Sequence, residues 1–145
     1  MRPSSIVNFE RVVLLSILLG IVGTWLSWAR IQAMVAQTAT AGGPHMSTNT
    51  VIVIQAVTIA LYLLLIWFIS RKASPVAKWI YVVLAGLGLV FGLFGLPQTM
   101  RYGTAPLLVA IVQYLLSITS LWLLFRPDAK AWFSEGRGPD PSTFA

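Results

Sequence analysis

The sequence predicts an all-α, polytopic membrane protein, a bundle of four transmembrane helices. Three observations lead there. Only 10% of the 145 residues are charged and 57% are hydrophobic, whereas a soluble domain carries roughly a quarter charged residues to keep its surface wet. The apolar residues gather into four runs, each near the ~20 residues that cross about 30 Å of hydrocarbon at 1.5 Å rise. The basic residues behind the formal charge of +6 sit at the ends of those runs, where they report topology before anything else.

The first run is expected over residues 12–29. Asn8 or Ser5 would cap its start, with Glu10 in the first turns, where unpaired N–H groups favour a carboxylate. It follows Arg2 and Arg11 as a signal peptide would, but it exceeds an ordinary signal core and is expected to stay as a helix. Ser16, Gly20 and Thr24 recur every fourth position, and Gly23 and Ser27 broaden that face. Such a stripe lets a second backbone come close. Residues 31–37 remain helix-compatible beyond Arg30, and residues 39–49 read as a loop.

The second run, 50–69, opens on Val51-Ile52-Val53-Ile54. In water these β-branched residues would suggest a strand; in lipid an open strand leaves its backbone unsatisfied, so a helix is expected. Gln55, Thr58 and Tyr62 share one face of it. It closes on Trp67-Phe68 and then on Arg71 and Lys72, an aromatic and basic boundary suited to lipid headgroups. After a turn at Ser74-Pro75 and Lys78, the third run covers 79–96. Its Gly88 and Gly92 form a close-approach pair, and Gly95-Leu96-Pro97-Gln98 is expected to stop it. The fourth run, 105–125, has Pro106 in its first turn and Gln113, Ser117 and Ser120 on one face, and it ends at Arg126-Pro127-Asp128. Residues 128–133 are expected to form an interfacial turn, with Trp132 and Phe133 among headgroups and Lys130 wet. Residues 1–133 then make one membrane domain, and 134–145 a flexible cytoplasmic tail.

Charge gives the expected orientation. With the amino terminus inside, Arg2, Arg11, Arg71, Lys72, Lys78, Arg126, Lys130 and Arg137 lie on the inner side, and only Arg30 and Arg101 on the outer side. That bias places both termini in the cytoplasm and fits four crossings. In a bacterium the bilayer would be the inner membrane. Arg71, Lys72, Lys78, Arg126 and Lys130 are the candidate topology and lipid-headgroup residues.

The inventory for catalysis is poor. Cysteine is absent, which removes thiol nucleophiles, disulfides and cysteine-held metals. Four acids and one histidine remain, with Glu10 the only acid near hydrocarbon and expected to be an amino-terminal helix residue or a partner of Arg11 or of the inner turn. His45 reads as an exposed loop residue. No cofactor is implied, and the basic residues form no face with interleaved aromatics, so nucleic acid is not expected as a partner. A membrane enzyme is the weakest reading.

The polar residues inside the runs are the better lead. Thr24, Ser27, Gln55, Thr58, Tyr62, Gln113 and Ser117 could meet in the outer half of a bundle, as interhelical hydrogen bonds or as a ligand site, because amides need partners in hydrocarbon. Ser16, Gly20, Gly23, Gly88 and Gly92 are the expected helix-packing residues. With almost no extramembrane mass, the leading expectation is a non-catalytic accessory or scaffold subunit, its partners being lipids and other membrane subunits or itself. The alternative is a small-molecule binding or transport protein with its polar site in the outer half.

The opening Phe9-Glu10-Arg11, the middle Ala77-Lys78-Trp79 and the ending Leu124-Phe125-Arg126-Pro127-Asp128-Ala129-Lys130-Ala131-Trp132-Phe133 resemble small four-helix proteobacterial inner-membrane proteins of unassigned function. The resemblance implies four helices and a bacterial origin, and it carries over no activity.

Overall fold

A computed structural model describes residues 2–40, 47–101 and 103–135. His45 and residues 136–145 lie outside the described part. Among the described residues the secondary structure is helical, in the order α1 (Ser4–Leu26), α2 (Trp28–Thr40), α3 (Thr48–Lys72), α4 (Pro75–Met100), α5 (Thr104–Leu124) and α6 (Pro127–Glu135). Four of them, α1, α3, α4 and α5, are long and apolar enough to cross a membrane. Their outer faces carry residues such as Trp25 and Phe94, 76% and 78% exposed. No more than 17% of any of the four apolar stretches is buried in the protein. Helices apolar all round and so little buried need hydrocarbon as their solvent.

The four long helices form a closed ring. α1 lies along α5, α5 along α4, α4 along α3, and α3 returns to α1. Along α1, Ser16 meets Gln113 and Gly23 meets Val109, and along α4, Tyr81 meets Ser120 and Gly92 meets Tyr114, so α1 and α4 run antiparallel to α5.

Packing is uneven along the bundle axis. The buried cluster draws on the beginning of α1 (Ile6, Phe9, Val13), the end of α3 (Leu65, Ile66, Ile69), the beginning of α4 (Ala77, Tyr81, Ala85) and the end of α5 (Leu123, Leu124). All of these lie at one end, the end with the basic turn, which is therefore a sealed base. In α3 nothing before Leu65 is buried. The opposite half of the ring is looser.

Local signals set the boundaries. α3 stops because Ala73 takes a left-handed conformation (φ 47°), letting the Ser74 N–H donate to the Phe68 carbonyl. Ser74 then starts α4, its hydroxyl accepting from the Ala77 N–H at 3.3 Å, with Pro75 as the first helical residue. At the other end, Ser47 caps α3 through the Thr50 N–H.

Several expectations need correction. α1 begins at Ser4, eight residues before the expected start at residue 12, and its flanking residue is Pro3. It gives way at Ser27 to α2, which starts from the Ser27 carbonyl and includes the helix-compatible stretch after Arg30. α4 does not stop at Pro97 but continues to Met100, with the Thr99 hydroxyl donating to the Gly95 carbonyl. Glu10 does lie in the amino-terminal part of α1, but its charge partner is Arg2 at 2.9 Å, not Arg11.

The largest correction concerns residues 128–133. They belong to a helix folded back across the base, in which Ala129 and Phe133 are buried while Lys130 stays exposed. Ser134 and Glu135 complete that helix, so the expected tail does not begin at 134. Two hydrogen bonds hold α6. The Ser5 N–H, unsatisfied within the first turn of α1, donates to Asp128 Oδ2 at 3.2 Å, and Trp132 Nε1 donates to the Ile69 carbonyl at 3.2 Å, in the last turn of α3.

Hydrogen bonding to Ser5 holds the Asp128 carboxyl below its ordinary 3.8. A lowered folded-state value means that the carboxylate stabilises the fold at neutral pH and loses that contribution as the pH falls through the folded value. Asp128→Ala is therefore expected to melt earlier than the parent at pH 7 in mild detergent, with the two curves converging in acid. Equal melting at pH 7 would contradict this role.

Candidate functional site

The loose half of the bundle holds a half-open cavity of about 360 Å³ lined by all four long helices. That is within the roughly 300–1,000 Å³ of small-molecule sites. α1 contributes Val13, Ser16, Ile17 and Gly20, and α3 contributes Gln55, Thr58, Ile59 and Tyr62. From α4 come Tyr81, Ala85, Gly88, Leu89 and Gly92, and from α5 come Ala110, Gln113, Tyr114 and Ser117. A smaller space of about 230 Å³ lies toward the Ser27 end and shares Gly20, Ala110 and Gln113 with the first.

The floor is aromatic and satisfied. Tyr81 stacks edge-on against Phe9 (5.0 Å) and Tyr62 (5.8 Å), and its hydroxyl pairs with Ser120 Oγ at 2.6 Å. Ser120 also reaches the Ser117 carbonyl, so this pair is anchored to α5. The wall is less settled. Gln113 Nε2 donates to Ser16 Oγ at 2.5 Å, joining α5 to α1, while Gln113 Oε1 is buried without a partner. Among the described residues, nothing hydrogen-bonds to the Gln55 amide or to the hydroxyls of Tyr62 and Tyr114. Two hydroxyls of the base, Ser5 and Ser70, are also buried without partners, but they line neither cavity.

Five of the seven expected polar residues, Gln55, Thr58, Tyr62, Gln113 and Ser117, line the main cavity. Thr58 and Ser117 spend their hydroxyls on the carbonyls of Ile54 and Gln113 in their own helices. Thr24 does the same with Gly20 and lines neither cavity, and Ser27 lines only the smaller one. Sequence reasoning missed Tyr81 and Tyr114. The available signal was a phenol inside an apolar run, which needs a partner in hydrocarbon.

The expected packing residues divide in two. Gly23 is a close approach, since a Cβ there would stand 3.2 Å from Val109 Cγ1, and a Cβ at Gly92 would overlap the Tyr114 hydroxyl. Gly20 and Gly88 are not close approaches: an added Cβ would meet nothing within 4 Å, and both line the cavity. They make room instead of contact. Ser16 is a hydrogen-bond partner of Gln113.

The basic residues divide as well. Arg71, Lys72, Arg126 and Lys130 are exposed, with Lys72 over the Trp67 ring (5.4 Å) and Arg126 over the Trp122 ring (5.0 Å). Lys78 is buried instead of being free for headgroups, its Nζ between the rings of Phe125 (4.7 Å) and Phe133 (4.8 Å). Cation–π attraction replaces water around it and ties α4 to α6.

Fold and cavity together define a helical membrane protein with a mainly apolar interior space that carries a polar part. Comparison with protein-family models, with curated proteins and with solved structures finds no match.

The contrast between floor and wall can be tested without a ligand. Tyr81→Phe removes a made hydrogen bond and should cost about 1 kcal/mol, read from unfolding in mixed detergent micelles. Tyr62→Phe removes a hydroxyl with no partner and should leave stability unchanged or raise it. Equal losses would contradict the distinction.

Proposed function

We propose that the protein binds a small molecule inside its transmembrane bundle. One observation carries this reading: the cavity of about 360 Å³ presents Gln55, Tyr62, Tyr114 and the Gln113 carbonyl oxygen with hydrogen-bonding capacity left unspent. In water such groups would cost little. In hydrocarbon an unmade hydrogen bond costs kcal/mol, so groups left open there are matched by whatever fills the space. The floor at Tyr81 and Phe9 closes the cavity toward the base, which favours a binding site over a through-going channel. The basic base faces the cytoplasm in this reading, with both termini on that side, and the cavity lies in the outer half of a bacterial inner membrane.

An accessory role beside other membrane subunits is the second reading. Its specific support is Gly86 on α4, which lies away from the face of Tyr81, Ala85, Gly88 and Gly92, lines neither cavity, and would give an added Cβ nothing to meet within 4 Å. A small residue on the lipid side of an apolar helix suits close docking of another helix.

Extraction in mild detergent followed by native mass measurement separates the two. The binding reading predicts a small-molecule adduct on the intact chain that is missing from the Gln55→Leu, Gln113→Leu double variant, whose helical circular dichroism stays unchanged. A stoichiometric foreign subunit on a chain with no adduct would support the accessory role and contradict the binding reading.

A further inference from the structure

The lining of the cavity also restricts the charge of what it takes. Among the described residues, none that lines it is Asp, Glu, Lys, Arg or His. The charged groups nearest in sequence are already placed elsewhere: Glu10 is held by Arg2, Arg11 is exposed, and Lys78 is enclosed by Phe125 and Phe133 in the base. An ion in the cavity would lose its hydration and gain no counter-charge, a penalty of several kcal/mol in a low-dielectric interior. A neutral head pays far less, and here it meets complementary groups.

Those groups both donate and accept. Gln55 offers an amide N–H₂ and a carbonyl, Tyr62 and Tyr114 each offer a hydroxyl, and Gln113 leaves one side-chain oxygen open. An uncharged head with both a carbonyl and an N–H or O–H can satisfy several at once. The rest of the lining, Ile17, Ile59 and Leu89 with the space over Gly20 and Gly88, is apolar and suits a hydrocarbon part. Building on the small-molecule reading above, we infer that the ligand is a neutral, lipid-soluble amphiphile with an amide-like or hydroxy-carbonyl head, and that the cavity excludes anions and cations of the same size.

The test uses three probes with one ten-carbon tail and different heads: decanamide, decanesulfonate and decylammonium. Equilibrium binding to the full chain in a neutral detergent is measured for each, and cavity-specific binding is the part abolished by Gly88→Leu, which fills space where an added Cβ touches nothing. Decanamide is expected to bind at least about tenfold more tightly than either ion, and to weaken in Gln113→Leu. If an ion shows cavity-specific binding as tight as the amide, the neutral-ligand inference is overturned while the binding site stands. If Gly88→Leu changes the binding of none of the three, the inference and the binding reading both fail.

Discussion

A polar group inside hydrocarbon has no solvent to fall back on, and most of this structure follows from how each such group is provided for. Thr24, Thr58, Ser117 and Thr119 return their hydroxyls to carbonyls of their own helices. Tyr81 and Ser120 satisfy each other across α4 and α5, and Gln113 reaches across to Ser16. These links cost no exposed backbone and need no water. The polar groups without such provision in the loose half, on Gln55, Tyr62, Tyr114 and Gln113, converge on one space between the helices, and that convergence gives the cavity its chemical character.

The space persists because the bundle is closed elsewhere. α6 folds across the base, supplies Asp128 to the start of α1 and Trp132 to the end of α3, and adds Ala129 and Phe133 to the buried cluster that holds Ile6, Ile69 and Leu124. Lys78, enclosed by Phe125 and Phe133, adds a link from α4. With the base fixed, the far half need not collapse, and Gly20 and Gly88 leave it without side chains to fill it. Glycines that would elsewhere draw helices together here keep the middle of the bundle open.

Much of this was legible in the chain. Apolar run length and terminal charges gave the four helices, because the thickness of hydrocarbon fixes both. Gln55, Thr58 and Tyr62 could be placed on one face from their spacing, and that face does line the cavity. What spacing could not supply was which helix stood opposite. Gly20 and Gly23 look alike in sequence, yet Gly23 meets Val109 and Gly20 meets nothing, because the helices separate between those levels. α6 was misread for a related reason: Trp132 and Phe133 beside Lys130 have the composition of an interfacial segment, and only the partners offered by Ile69 and Ser5 turn it inward.

The central claim is that the middle of the bundle is a space open to a small neutral molecule instead of packed side chains. Gly88→Leu adds a side chain where a Cβ would meet nothing within 4 Å and should melt at or above the temperature of the parent in mild detergent, while Gly23→Leu, whose Cβ would stand 3.2 Å from Val109 Cγ1, should melt below it. If Gly88→Leu melts as far below the parent as Gly23→Leu, the helices meet where the account leaves a cavity, and the account is wrong.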